Sequence, residues 1–474
     1  GATDIIYSQA NDKRMDSKDA WTSRVYGEIS FLKDFKLRGT LGFDQNLIDR
    51  TRYTQSLVGR DKSKGGYSKY SMNYQNLNSQ VMLSYNKSIK DHNIDAMALH
   101  EFNKFTVKNV QFGTAYEFMP GFISPYNFVG KYTGAYGMAT PSASEQTEVM
   151  ESYLGRVNYD YKGRYLFEVS GRYDGSSRFA KGSRWGLFPS ASAGWRISEE
   201  PFWKPMKKWW NMAKVRFSYG SLGNQQVSNY YYWDTISTGT LSYLLNGSSK
   251  ASYAHGTVPV SSDLTWETVI TKNLGFDLGF FKNKLNVTAD FYIRDTKDML
   301  TKAMTLPAVY GSSAPKTNAA DLSTRGYEVT VSWRDGFNLA GKPFNYGVSA
   351  SLGDYKTIIT KYENESKLLS DHYVGKVLGD IWGYTTDGLF ASDEEAAAYA
   401  AQVNDKNANK GVYAGKAPYN KLMAGDIKYV DVDGSGAIDT GANTLDDPGD
   451  RKIIGNSKPR YNYSLRGDFQ WMGI

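Results

Sequence analysis

The chain contains no cysteine, which removes disulfides, thiolate metal sites and cysteine nucleophiles from its chemistry. It has no run of eighteen apolar residues, so no helix of it is long and apolar enough to cross a bilayer. Its four histidines, His92, His100, His255 and His372, have no ligand spacing. No nucleophile elbow or phosphate-binding loop occurs, so catalysis is not expected. Charge of neither sign dominates: 56 Lys and Arg against 49 Asp and Glu give +7 over 474 residues. With no long basic block, nucleic acid is not an expected partner. The opening GATDIIYSQANDK lacks a charged head followed by an apolar stretch, so it does not read as a signal peptide. The expectation is that such a peptide was removed or that the sequence starts inside a longer one.

What is present is aromatic, glycine-rich and polar. Aromatics are 15% of residues, with 36 Tyr and 11 Trp, Gly numbers 46, and the mean hydropathy is −0.52. The apolar residues fall at alternate positions. In LNVTADFYI, Leu285, Val287, Ala289, Phe291 and Ile293 lie on one face of an extended chain, and Asn286, Thr288, Asp290 and Tyr292 on the other. The same period runs through RYLFEVSGRYD (164–174) and RWGLFPSASAGWRIS (184–198). It recurs at 21–31, 35–44, 81–89, 94–102, 153–161, 215–220, 274–281, 327–333, 344–352 and 461–471. Together these are about thirteen strands.

A soluble sheet with one wet face gives the same alternation. The connections separate the two cases. Short joins at 33–34, 90–93, 162–163 and 282–284 alternate with long ones at roughly 45–75, 103–149, 222–268 and 353–459. This asymmetry matches a transmembrane antiparallel β-barrel, tight on one side and elaborate on the other. Apolar residues then face lipid, polar ones the lumen, and Tyr and Trp at strand ends form interfacial girdles. On this reading a cation at Phe291 is expected to destabilise the barrel and one at Asp290 to be tolerated.

Several motifs together resemble the SusC/RagA family of TonB-dependent outer-membrane transporters. They are RYDGSSRF (172–179), RWGLFPSASAGWRISEEPFW (184–203), SYGSLGNQ (218–225), LTWET (264–268), TKNLGFDLGFF (271–281) and NVTADFYIRDTKDML (286–300). RGYEV (325–329), WGYTTDGLF (382–390), GDIKYVDVDGSGAID (425–439) and DRKIIGNSKPRYNYS (450–464) follow in the family's order. The resemblance implies a 22-stranded barrel in the outer membrane of a Gram-negative bacterium. It also implies an upstream plug domain, a SusD-like surface lipoprotein as lid, and import of oligosaccharides or oligopeptides driven by the TonB complex through an N-terminal segment missing here. Against that pattern, residues 1–474 are expected to be a partial barrel. Residues 354–458 would be a long extracellular insertion, with the plug and the final strands lying outside the sequence. A passive porin or an adhesive barrel is the alternative.

Several segments stand out. DVDGSGAIDTGA (431–442) has the opening spacing of a calcium loop: Asp431, Asp433 and Ser435 at positions one, three and five, Gly436 at six and Asp439 at nine. Ala442 stands where a bidentate acid is expected, so Asp446, Asp447 or water would complete the shell; without metal the same residues make a turn. No cofactor is required, and calcium would be structural. Tyr230, Tyr231, Tyr232 and Trp233 lie in a long connection with no strand face to occupy, suited to stacking on substrate or to packing under a lid. DEEAAAYAAQ (393–402) reads as a short helix on the longest connection. KPMKKWWNM (204–212) reads as an interfacial anchor. Arg172, Asp174, Arg178, Lys181 and Arg184 are assigned to the loop and lumen side, with Gly171, Gly175 and Gly182 permitting turns and close strand approach.

Overall fold

The computed structural model describes residues 12–55, 65–119, 121–124, 128–130, 141–243, 250–256, 260–261, 263–302, 314–405 and 422–472. Thirteen long strands dominate it. They are β1 (Lys13–Phe31), β2 (Phe35–Thr54), β3 (Gly66–Ile89), β4 (His92–Glu117), β5 (Ser142–Tyr161), β6 (Tyr165–Ser176) and β7 (Trp185–Arg196). Then come β8 (Trp210–Asn224), β9 (Glu267–Phe280), β10 (Leu285–Lys302), β11 (Lys316–Leu339), β12 (Lys342–Lys361) and β13 (Asn462–Trp471). Each follows its sequence neighbour in the sheet order, an antiparallel meander. Every expected strand is present.

The short connections are tight because the backbone turns left-handed there. Lys162 and Gly163 have φ of 57° and 65°, and Ala340 and Gly341 have 49° and 76°. These are the paired positive angles that match a hairpin turn to the strand twist.

The strands are longer than the alternation suggested. β2, β3 and β4 have 20, 24 and 26 residues, so much of 45–75 and 103–149 is strand rather than loop. In those extensions, such as YSKYSMNYQN (67–76), neither face is apolar. The ladder of backbone hydrogen bonds continues where side-chain patterning no longer signals it.

The chain divides into two compact units, 1–159 with 168–189 and 227–232, and 160–167 with 190–226 and 233–474. In the first, β2 pairs β3 from Phe35↔Tyr85 to Thr54↔Gly66, and β3 pairs β4 from Ile89↔His92 to Gly66↔Ala115. Leu37, Leu41, Leu77, Val81 and Leu83 share one face and are solvent-exposed. The opposite face carries Asp44, Asn76, Asn78, Gln80 and Glu101, so the polarity is inverted relative to a soluble core. A small core of Tyr53, Tyr67 and Phe112 forms at the end away from the short turns.

The second unit repeats the inversion. Leu274↔Phe291 and Phe291↔Tyr327 are directly opposed, and Phe291 is 49% exposed. Aromatic rings gather beside the short turns. Trp210 stacks on Phe280 at 5.3 Å and takes Trp203 edge-on at 4.6 Å, while Phe344 contacts Phe337 at 5.1 Å and Phe469 at 6.1 Å. KPMKKWWNM is part of this band: it supplies Trp209, which is exposed, and Trp210, both against Phe280.

Between β12 and β13 the chain folds on itself. A helix α1 (Asp393–Gln402) begins at Ser392, whose hydroxyl accepts from the Glu395 backbone N–H at 3.2 Å. The Glu395 carboxylate accepts the N–H of Ala391, the residue before the cap, at 2.8 Å. Two ribbons, 380–384 with 451–456 and 386–389 with 427–429, accompany it. Phe390, Ala396 and Ile438 are buried, and Tyr399 donates its hydroxyl to the Tyr429 carbonyl at 2.6 Å. The described residues of this segment therefore pack on one another.

Candidate functional site

The polar face of the first unit carries a concavity of about 560 Å³ lined by Thr22, Asp44, Asn46, Asn76, Asn103, Phe105 and Glu148. Register explains it. Thr22↔Asp44, Asp44↔Asn76 and Asn76↔Phe105 are successive directly opposed pairs, so one cross-strand row runs from β1 to β4. Asn103 lies two residues from Phe105 on the same face. Asn76 Nδ2 approaches Asp44 Oδ2 at 3.4 Å. Asn76 Oδ1 is shielded from solvent and has no hydrogen-bond partner among the described residues. Phe105 presents a ring beside Tyr74, at 6.1 Å between centroids. Amide and carboxylate groups around one ring suit a ligand with many hydroxyl or amide groups. Sequence reading missed this site, because its residues come from five strands and its only local signal is polarity at alternate positions.

The charges of RYDGSSRF are used internally. Arg172 donates to Asp174 at 2.8 Å, Glu101 at 3.1 Å and Ser152 at 2.9 Å. Arg178 joins Glu148 at 2.6 Å and the Val227 carbonyl at 2.8 Å. Arg184 donates to the Phe179 carbonyl at 3.1 Å. Gly175 must lack a side chain, since a Cβ there would lie 2.8 Å from the Trp185 ring, which stacks on Tyr173 at 4.7 Å. In the second unit, Arg216 bridges Asp277 at 2.8 Å and Asp290 at 3.2 Å on the polar face. Asp290 also accepts from Asn273 at 3.0 Å. It is not a free lumen position, and the expectation that it would accept a cation is corrected by these partners.

The aromatic run is divided. The Tyr230 hydroxyl accepts from the Thr147 N–H at 3.0 Å and donates to the Thr147 carbonyl at 3.2 Å, which clamps it to β5. Tyr231 and Tyr232 are half-buried in turn structure. Trp233 is 56% exposed.

In DVDGSGAID the structure brings Asp431 and Asp433 together with Asp450. Their carboxylate oxygens lie within 4.8 Å of one another, a span that oxygen ligands at 2.3–2.6 Å from a calcium ion can cover. Asp431 accepts from the N–H groups of Gly434 and Gly436, both at 2.8 Å. Asp450 is fully buried, and accepts from Val432 at 2.7 Å and Asp439 at 2.8 Å. Ser435, through its hydroxyl and then its backbone N–H, holds the Asp433 carboxyl below its ordinary range. Ser435 and Asp439 also hold the turn: the Ser435 hydroxyl donates to the Ala437 carbonyl at 3.1 Å and Asp439 accepts from Gly441 at 2.8 Å. Asp447, offered from sequence as a completing ligand, takes the Ala442 N–H at 2.8 Å. Asp450 opens the DRKII motif, eleven residues beyond Asp439, and only folding makes it a neighbour.

Residues 3–471 match the family described as "TonB dependent receptor-like, beta-barrel". The chain is 26% identical over 470 residues to TonB-dependent receptor P3 of Formosa agariphila, covering 96% of this chain and 43% of that protein. It is also 26% identical to TonB-dependent receptor SusC of Bacteroides thetaiotaomicron, over 88% of this chain and 42% of that one. Among solved structures, the RagAB peptide importer in its "closed-closed" state aligns with a TM-score of 0.70 at 19% identity, over 96% of this chain and 46% of the other. The chain thus spans less than half the length of these relatives.

Proposed function

The chain belongs to the TonB-dependent receptor-like β-barrel family, and from that premise we propose that it forms wall and outer loops of an energised outer-membrane importer of oligosaccharides or oligopeptides. The observation that carries this reading is the inversion of the sheet. Exposed Leu, Val and Phe occupy one face, aromatic rings gather beside the tight turns, and ion pairs such as Arg172–Glu101 and Arg216–Asp277 occupy the other face. Lipid covers the first face and an aqueous lumen the second. The amide-rich concavity around Asn76 and Phe105 then lies on the lumen wall as a substrate subsite. Exposed Trp233 and helix α1 are offered on the outer side to substrate or to a SusD-like lipoprotein lid. Calcium at Asp431, Asp433 and Asp450, with Ser435 and Asp439 shaping the loop, would tie that outer segment together without taking part in transport.

A passive porin or adhesive barrel would share the same wall. Uptake separates them: cells carrying the full-length receptor are fed a labelled oligosaccharide or oligopeptide with and without a working TonB complex. Uptake that disappears without TonB supports the importer. Uptake that persists identifies a passive pore.

A further inference from the structure

On the apolar face of the second unit, one cross-strand row breaks the pattern. Lys272↔Ile293, Ile293↔Arg325 and Arg325↔Lys356 are successive directly opposed pairs across β9 to β12. Three cations therefore stand in line with one isoleucine. Arg325 and Lys356 face each other directly, an arrangement that destabilises a sheet when nothing neutralises it. Both are exposed.

The acids on this face are already committed. Asp295 takes Lys272 at 3.6 Å and the Ser323 hydroxyl at 2.7 Å. Asp354 is held by Arg460, and Asp321 by Lys297 at 2.9 Å. Among the described residues, the Arg325 and Lys356 side chains have no acidic partner and no hydrogen bond.

The row also has a definite height. Between it and the short turns lie Leu274–Phe291–Tyr327, which ends on the Arg460-paired Asp354, and then Phe276–Ala289–Val329–Leu352, Leu278–Val287–Val331–Ala350 and Phe280–Leu285–Trp333–Val348, all on the same face. Eight residues separate Lys272 from Phe280. At about 3.3 Å per residue and a tilt of about 40°, that is roughly 20 Å along the membrane normal, close to the outer edge of an apolar band about 25 Å tall. The cations thus lie on the side of the long connections, at headgroup level, with Leu274, Phe291 and Leu352 exposed beneath them.

We propose that Arg325 and Lys356 hold a phosphate of a phosphorylated, multiply acylated glycolipid of the outer leaflet, whose acyl chains lie along the apolar rows below. The guanidinium supplies a planar fork for phosphate oxygens and the lysine a point charge. Bound phosphate relieves the opposition of the two cations. The proposal rests on the outer-membrane reading above.

The test uses the full-length receptor purified from outer membranes in mild detergent, with co-purifying lipid measured by native mass spectrometry. Wild type should carry the phosphorylated glycolipid. The Arg325→Gln/Lys356→Gln double variant should carry at least about tenfold less, the loss of charge-assisted hydrogen bonds to one phosphate. Lys104→Gln, an exposed apolar-face lysine of the first unit, should retain it. Stripped of lipid, the double variant should melt at or above the wild-type temperature, and only wild type should gain stability when the glycolipid is returned. Equal retention by the double variant overturns the proposal. So does equal stabilisation of wild type by dephosphorylated glycolipid, phosphatidylglycerol or inorganic phosphate, and so does a double variant that melts well below wild type without lipid. Failure of the underlying reading looks different: wild type would then be missing from the outer-membrane fraction.

Discussion

The inverted sheet makes a direct demand on residue 291. Phe291 is 49% exposed on the apolar face, opposite Leu274 and Tyr327. It stands six residues above the turn that starts β10 at Leu285. At about 3.3 Å per residue and a tilt of about 40°, this is roughly 15 Å into an apolar band about 25 Å tall, near its middle. Arginine facing lipid at that depth costs about 2–4 kcal/mol. Phe291→Arg should lose that much in urea unfolding of the full-length receptor from lipid vesicles. Thr330→Arg, on the polar face opposite Thr288 and Ser351, should stay within about 0.5 kcal/mol. Asp290→Arg belongs to neither class. It removes acceptors from Arg216 and Asn273 and sets a second cation beside Arg216, a loss of about 1–3 kcal/mol that should shrink in an Arg216→Gln background. In water-soluble form Phe291→Arg would be an innocuous surface change, so the assay separates lipid from solvent. Equal unfolding free energies for Phe291→Arg and Thr330→Arg would refute the face assignment.

Four further outcomes are expected. Gly175→Ala brings a Cβ to 2.8 Å from the Trp185 ring and should destabilise the receptor by about 1–3 kcal/mol; a Trp185→Leu background should restore much of this, and a neutral Gly175→Ala would contradict the close approach. Ser392→Ala removes the cap of α1 and should weaken that helix by about 1 kcal/mol, read as faster hydrogen exchange at 393–396 with none at 380–384. If calcium sits among Asp431, Asp433 and Asp450, chelator or Asp433→Ala should speed exchange at 431–439 while Phe390 and α1 stay protected by their own packing; exchange unmoved by chelation would leave a hydrogen-bonded turn. With its carboxyl lowered by Ser435, Asp433 contributes stability that is complete above the ordinary aspartate value of about 3.9 and lost as pH falls through its lowered value. Protection at 433–437 should therefore survive mild acid and collapse below that range, and loss already near neutrality would reverse the sign.

Alternation was enough to count the strands, because a barrel wall wets one face and not the other and the period of two is written residue by residue. The tight turns at 162–163 and 340–341 and the helix at 393–402 were local in the same sense, each set by a few adjacent residues. Strand length was not. Beyond the apolar rows both faces are wet, and in YSKYSMNYQN only backbone pairing with β2 and β4 extends the strand. The sites depended on the fold still more. The concavity around Asn76 takes one or two residues from each of five strands whose adjacency is a matter of register. Asp450 joins Asp431 and Asp433 only after the outer segment has folded back, and Asp290 is occupied because Arg216, 74 residues earlier, lies opposite its neighbour Gly275. Arg325 and Lys356 read as two unremarkable cations 31 positions apart. Pairing of β11 with β12 sets them face to face, since a ladder aligns backbones without regard to the charge each residue carries.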